Sequence, residues 1–489
     1  MSEEQTSKLY GDMPLIQSQD QTSRKIYSVS EINSELVDKD IYVRAFASVV
    51  RGKGKVSFLL LRSQISTIQA CCFVPKEDPN GEILNMVKYI RSTPVESLVE
   101  VYGTLVKVDR PVTSATIQDM EIQIKECHVV SKAQPTPIVV ADCARVTEDD
   151  DEGNQPVDKS RPTVTQKARL DNRVLDLRTI ANQAIFKIQS RIGQYFREYL
   201  LDHDFQEIHT PKLISTASEG GAEVFKVAYF DGVAYLAQSP QLYKQMAVVS
   251  GMPRVFEIGP VFRAENSFTH RHLTEFTGLD AEMSFNENYH EALELFKDLL
   301  ATVFNRLNTE CRKEIEAVRS QFPSTDCVIN PVILKFPEAV KLLRDAGMKM
   351  DDLQDLSSEL EKKLGEIVKE KYNTDFFILD KFPSCARPFY TMPDPEDPNY
   401  SNSYDMFLRG EEIVSGAQRI HDSALLLKRA EELKVNLTPI QAYVDCFKYG
   451  APPHAGLGCG LDRMTFLFLG LKNVRRGSMF PRDPMRLNP

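Results

Sequence analysis

No part of this 489-residue chain is apolar without interruption over the roughly 20 residues a bilayer-spanning helix needs. The opening residues, MSEEQTSKLYGDMP, are polar and acidic. They have neither the apolar core of a secretory leader nor the arginine-rich amphipathic pattern of a transit peptide. The nine cysteines contain no CxxC pair, and only Cys71 and Cys72 are neighbours. An odd number scattered along a long chain points away from a disulfide frame or a zinc site. Reduced thiols in a reducing compartment fit better. GxGxxG and the P-loop lysine motif are also missing, which argues against a Rossmann fold and a P-loop nucleotide site. No internal repeat is visible. These absences predict a cytoplasmic protein with no membrane partner.

What is present fits an ordinary folded chain: 42% hydrophobic and 26% charged residues, long enough for two or more domains. The net charge of −10 argues mildly against nucleic acid, because phosphate binding draws on Lys and Arg. The charge is uneven, however. Residues 41–135 carry 12 basic and 9 acidic side chains, a net +3, whereas residues 141–160 carry 2 and 7, a net −5.

Residues 1–26 form a polar tail. Residues 27–140 contain five short β-rich runs, IYVRAFASVV, VSFLLLR, TIQACCFV, LVEVYGTLVKV and MEIQIKECHVV. An apparent helix, ILNMVKYIRS, sits between the third and fourth, which predicts an OB-type barrel. Residues 141–168 hold EDDDE and two prolines and predict an acidic hinge. The remainder, 169–489, mixes helical and strand-like stretches. Ile185, Ile188, Ile192, Phe196 and Leu200 follow helical spacing, and a strand-like FQEIHTPKLI comes next. Pro211 near its end suits an edge or a junction, since proline cannot donate to a ladder. Residues 287–382 alternate amphipathic helices with short β segments, and nothing there reads as chemistry.

The chain is organised around Val261–Glu282, two strand-like runs about a polar loop. Alternation puts Arg263 and Glu265 on one face of the first run. On the second it puts Phe276, Asp280 and Glu282 together, with Leu279, Ala281 and Met283 opposite. A merely solvated face has no use for Phe276 and Gly278. The loop 266–272 adds two histidines and an arginine and suits an anion. Lys244 stands in an apolar stretch, so it either snorkels or pairs with an anion. Asp405, Glu411 and Glu412 are acids within apolar runs. Gly456, Gly458 and Gly460 precede a helix with Arg463 in its first turn, where backbone can approach a ligand and an anion is favoured.

VFRAENSFTHRHLTEFTGLDAE resembles motif 2 of the class II aminoacyl-tRNA synthetases, in which an arginine and a glutamate two residues later precede a variable loop. The fuller pattern is similar to that of the eukaryotic cytosolic aspartyl family. The pair of elements across Ile185–Ile214 with Pro211 resembles motif 1, a dimer interface. The Gly456–Arg463 stretch resembles motif 3. The resemblance runs from about Tyr42 to Pro489. It implies an α+β fold: an antiparallel-sheet class II catalytic domain with an N-terminal OB-type barrel that binds the anticodon. It implies a homodimeric aspartate–tRNA ligase that forms aspartyl-adenylate from L-aspartate and ATP with Mg²⁺, then charges tRNA(Asp).

By the same resemblance Arg263 binds the α-phosphate, Arg463 and His272 the outer phosphates, Phe276 stacks on adenine, and Glu265 fixes its edge. Asp405, Glu412 and Ser415 hold the metal. Lys244 and Arg419 take the substrate side-chain carboxylate and Asp280 its amino group. Gln241, Ser415 and a closing loop with Ser218 and Glu219 complete the amino-acid site. Phe58 stacks an anticodon base while Gln69 and Glu121 read an edge. The chain departs from the family at Leu457, usually glycine, and at Asp462, usually glutamate. It also lacks the lysine-rich extension many relatives carry, having only Lys8, Arg24 and Lys25. Rival readings are an asparaginyl enzyme of the same class, a non-catalytic nucleic-acid-binding paralogue, and an ATP-dependent amidating ligase on the same fold.

Overall fold

The computed structural model describes residues 9–18, 21–146, 162–215 and 224–488. Ser218 and Glu219 lie outside the described residues, as does most of the acidic hinge. The chain divides into two compact units. One holds residues 1–145 with 157–184; the other holds 146–156 with 185–489.

In the first unit, strands β1 (Asp40–Lys53), β2 (Val56–Ser63), β3 (Ser66–Phe73), β4 (Leu98–Lys107) and β5 (Met120–Ser131) close into a barrel. The ladders β1–β2, β2–β3, β1–β4 and β4–β5 are antiparallel, and β3 closes on β5 in parallel. Alternation decides what fills it: Val43, Ala45, Leu59, Leu61, Val99, Val101 and Ile122 point inward and are buried. Helix α1 (Glu82–Ser92) packs Met86, Val87 and Ile90 against that core. The five runs and the helix therefore lie where the sequence pattern puts them.

In the second unit, helix α2 spans Ile180–Asp202, most of it in this unit. There follow β6 (Gln206–Glu207), α3 (Gln241–Val249), β7 (Arg254–Phe262) and β8 (Glu275–Ser284). Then come α4 (His290–Glu310), β9 (Val332–Lys335), α5 (Phe336–Asp345), α6 (Ser358–Tyr372) and β10 (Phe376–Asp380). Last are β11 (Ser403–Leu408), β12 (Glu411–Gln418), β13 (His454–Gly460) and α7 (Leu461–Leu469). The eight strands form one sheet in the order β9-β10-β11-β12-β13-β8-β7-β6. The six central strands pair antiparallel; only the two outer pairs are parallel.

Two expectations are modified. The strand-like FQEIHTPKLI is not continuous: Gln206–Glu207 and Leu213–Ile214 are separate short strands, with Pro211 exposed between them. The first run of the central hairpin stops at Phe262, so Arg263 and Glu265 stand in the loop. The reason is competition. The Thr274 amide donates to Arg482 O (2.9 Å), so after the Arg263 amide has bonded Thr274 O the ladder cannot continue.

Candidate active site

β8 lies near the middle of the sheet and carries Phe276, Gly278, Asp280 and Glu282 on one face. On β13, Gly460, Gly458 and Gly456 pair with Gly278, Asp280 and Glu282; on β7, Gly259 pairs with Gly278. A Cβ on Gly456 would lie 2.0 Å from Glu282 Oε2, and one on Gly458 would lie 3.1 Å from Asp280 Oδ1. The glycines thus leave the space that the two carboxylates use. Above them opens a cavity of about 360 Å³. Leu457 falls on the alternate parity, is fully buried, and keeps regular pairing with Ala281 and Gly416. The departure at 457 therefore leaves the strand's path intact.

One end of this site is a buried charge cluster. Lys244, on α3, is completely buried. Its Nζ donates to Asp280 Oδ1 and to Leu457 O, both at 2.9 Å, and lies 3.6 Å from Glu282 Oε2. Arg419 Nε donates to Glu282 Oε1 (2.9 Å), and its Nη2 donates to Gln241 Oε1 (3.2 Å). Lys244 is thus paired, not snorkelling. Burial raises the Asp280 carboxyl above its usual range against the pull of Lys244. Glu282 feels the same burial, but Arg419 and Lys244 outweigh it and hold the group low.

The other end is cationic. Arg263, Arg271, His272 and Arg463 all line the cavity. Arg463, from the first turn of α7, donates to Glu412 O (3.1 Å) and Arg271 O (3.3 Å). These are backbone carbonyls, so its charge is not neutralised by a hydrogen-bonded carboxylate. Burial, with Arg271 and Arg263 close by, pulls the Arg463 pKa down despite Glu412. Burial and the same arginines also lower His272, which keeps it neutral and bonded to the Thr269 hydroxyl (2.6 Å). The Arg263 guanidinium is 5.6 Å from the Phe276 ring centroid, and Glu265 Oε1 is 3.9 Å from Arg263 Nη1. Asp462 accepts the Thr277 amide (3.1 Å) and so ties α7 to β8; burial pushes it up to about 6.

Asp405 and Ser415 face each other across β11 and β12. Arg387 pairs with Asp405 Oδ2 (2.9 Å) and donates to Ser415 Oγ (2.9 Å). Asp405 Oδ1 is buried and has no hydrogen-bond partner. Burial, and then the Glu412 charge, push Asp405 up to about 7 against Arg387. A buried carboxylate with one oxygen unsatisfied, close enough to a second to feel its charge, fits a divalent cation. Among the described residues no group of three or more His, Cys, Asp or Glu could hold a metal. Two carboxylates and a hydroxyl therefore need phosphate oxygens and water to complete a shell, as Mg²⁺ with a nucleotide does.

Of the residues singled out from sequence, Gln241, Arg263, Glu265, His272, Phe276, Asp280, Glu412, Ser415, Arg419 and Arg463 line this one cavity. Lys244 and Asp405 bond to residues in its wall. Phe58, Gln69 and Glu121 belong to the barrel. There Gln69 Nε2 donates to Glu121 Oε2 (2.8 Å), Arg51 Nη2 donates to Gln69 Oε1 (2.8 Å), and Arg51 lies 5.5 Å from the Phe58 centroid. Sequence reasoning missed Arg387, in a loop without periodicity and eighteen residues from its partner. It also left Glu282 without a role, although alternation had put it on the loaded face.

An antiparallel six-stranded centre, a cationic cavity on its hairpin and an arginine-bearing helix after a glycine strand define a class II synthetase. Residues 165–484 match the family model "tRNA synthetases class II (D, K and N)". The human cytoplasmic aspartate–tRNA ligase is 50% identical over 100% of this chain and 96% of its own. The aspartyl-tRNA synthetase structure from Entamoeba histolytica superposes with a TM-score of 0.90 at 43% identity, covering 99% and 97% of the two chains. The asparaginyl-tRNA synthetase of Pyrococcus horikoshii, complexed with asparaginyl-adenylate, gives 0.78 at 29% identity, covering 94% and 98%. The chain belongs to the aspartate–tRNA ligase family of class II synthetases.

Proposed function

We infer that this chain is an aspartate–tRNA ligase of the cytoplasm. It activates L-aspartate with ATP and transfers the aspartyl group to the 3′ end of tRNA(Asp). The observation that carries the choice of amino acid is the buried Lys244–Asp280–Glu282–Arg419 cluster. Pyrophosphate exchange with aspartate and ATP, in the absence of tRNA, is the test. Exchange with asparagine alone, or none at all, overturns the reading.

The first step needs no protein nucleophile, because the substrate's own α-carboxylate attacks the α-phosphorus. The chain holds the reactants in line and meets the charge that develops. Arg263 binds the α-phosphate, with Phe276 stacked on adenine and Glu265 at its edge. Arg463 and His272 take the outer phosphates as pyrophosphate departs. Asp405, Glu412 and Ser415 hold Mg²⁺, which when bound neutralises phosphate charge. In the second step the terminal ribose 3′-hydroxyl of tRNA attacks the adenylate.

Residues 27–140 serve as the anticodon-binding domain, 141–168 as the hinge and 169–489 as the catalytic domain. Glu121→Ala and Phe58→Ala then weaken tRNA charging and spare pyrophosphate exchange, the stacking loss at Phe58 being roughly 1–3 kcal/mol. The two assays run side by side decide it. A fall in exchange equal to the fall in charging removes the division of labour.

The chain works as a homodimer through the Ile185–Ile214 segment. The Ile185, Ile188, Ile192, Phe196 and Leu200 stripe is fully buried within this chain, so it does not supply the interface. The exposed side of the segment does, with Leu201, Pro211 and Leu213. Light scattering at micromolar concentration is expected to give twice the chain mass. A fully active monomer refutes the dimer.

A further inference from the structure

Helix α6 lies in the stretch where sequence showed no chemistry, yet its Glu361 bonds Arg271, which lines the cationic end of the cavity. Arg271 Nη1 donates to both carboxylate oxygens of Glu361, at 3.0 and 2.8 Å. The Glu412 amide donates to Glu361 Oε2 at 3.2 Å. Arg463 completes the ring by donating to the carbonyls of those same two residues, Arg271 and Glu412. Glu361 is buried, at 4% exposure, so it was taken from water to make these bonds. The helix is also fixed in place. Gly365 of α6 meets the β11–β12 turn so closely that a Cβ there would lie 2.4 Å from Gly410 Cα. Gly410 itself has φ +75°.

We propose that Glu361 is a positioning residue of the nucleotide site: through it, α6 sets where Arg271 and the backbone of Glu412 stand against the outer phosphates. The proposal rests on the reading of this end of the cavity as the phosphate site. It follows because Arg271 sits in a long polar loop, and a guanidinium on such a loop must be ordered before it can clamp an anion. A buried carboxylate on a packed helix does that ordering in advance. Glu361 touches no reacting atom.

The test uses the full chain with Glu361→Gln, which keeps the shape and removes the charge, and with Gly365→Ala, which keeps Glu361 and displaces its helix. ATP binding is measured with Mg²⁺ by calorimetry, and KM for ATP and for aspartate by pyrophosphate exchange. Both variants should weaken ATP binding about tenfold, the scale of one lost charge-assisted hydrogen bond, with KM for aspartate within about twofold. A merely structural role would lower the active fraction and leave both KM values alone. Unchanged ATP affinity in Glu361→Gln, or equal loss for both substrates, overturns the proposal. Wild-type protein that fails to bind ATP removes the phosphate-site reading as well, and so separates the two failures.

Discussion

Replacing Arg463 or Arg263 by alanine should lower aspartyl-adenylate formation by at least 10²–10³-fold, the scale of losing a preorganised donor at developing charge. The cause is electrostatic. Arg463 stands in a cationic group with Arg263 and Arg271, and its hydrogen bonds go to backbone carbonyls. A cation kept in that state is destabilised until an anion arrives. Triphosphate supplies the anion, and pyrophosphate carries more charge as it leaves. Removing either arginine removes the clamp when it is most needed, yet also relieves like-charge repulsion. The variants are therefore expected to fold as well as the wild type. Pyrophosphate exchange and a melting curve on the same preparation check both halves. Near-normal exchange in either variant would sink the assignment of the phosphate end.

The second large effect concerns the choice between aspartate and asparagine, which have nearly the same shape. Charge must decide, and it can be counted. The cluster supplies two cations, Lys244 and Arg419, and two carboxylates, Asp280 and Glu282. A bound amino acid brings its ammonium to Asp280. Three positive groups then face two negative ones, and a side-chain carboxylate closes the balance. Asparagine leaves one buried cation uncompensated, a cost of order 3–5 kcal/mol, or roughly 10²–10⁴ in discrimination. Lys244→Leu restores the balance without a side-chain charge. That variant should lose most aspartate activation and narrow or reverse the preference. The measurement is kcat/KM for both amino acids in exchange. An unchanged ratio would remove Lys244 from the site.

The count shows where sequence reasoning stopped. Lys244, Asp280 and Arg419 were legible, the first by its apolar setting and all three by resemblance. Glu282 was visible only as a residue of the right parity. Without it Asp280 answers only one of the two cations before any substrate binds; with it both are already paired, and specificity becomes a matter of one charge. A carboxylate's partner 137 residues away cannot be read from spacing. The apolar stripe of α2 shows the same limit in reverse. Helical periodicity found the buried face correctly, but periodicity does not say whether the chain's own sheet or a second copy covers it. Here the chain's own core does.

The sequence by itself determined the elements with strong local signals: the five barrel runs, the helix among them, the greasy and loaded faces of β8, and the helix that carries Arg463 after three glycines. These follow from local rules, since alternation and helical spacing act between near neighbours. Tertiary structure alone decided the rest. It ended β7 at Phe262, because Arg482 from the far end of the chain takes the Thr274 amide. It settled Leu457 harmlessly, because pairing with Ala281 and Gly416 put that side chain in the core. It brought Arg387 to Asp405 and Glu361 to Arg271. The last two are ion pairs between segments apart in the sequence. Such pairs are fixed by which surfaces pack together, and a one-dimensional pattern carries no record of that.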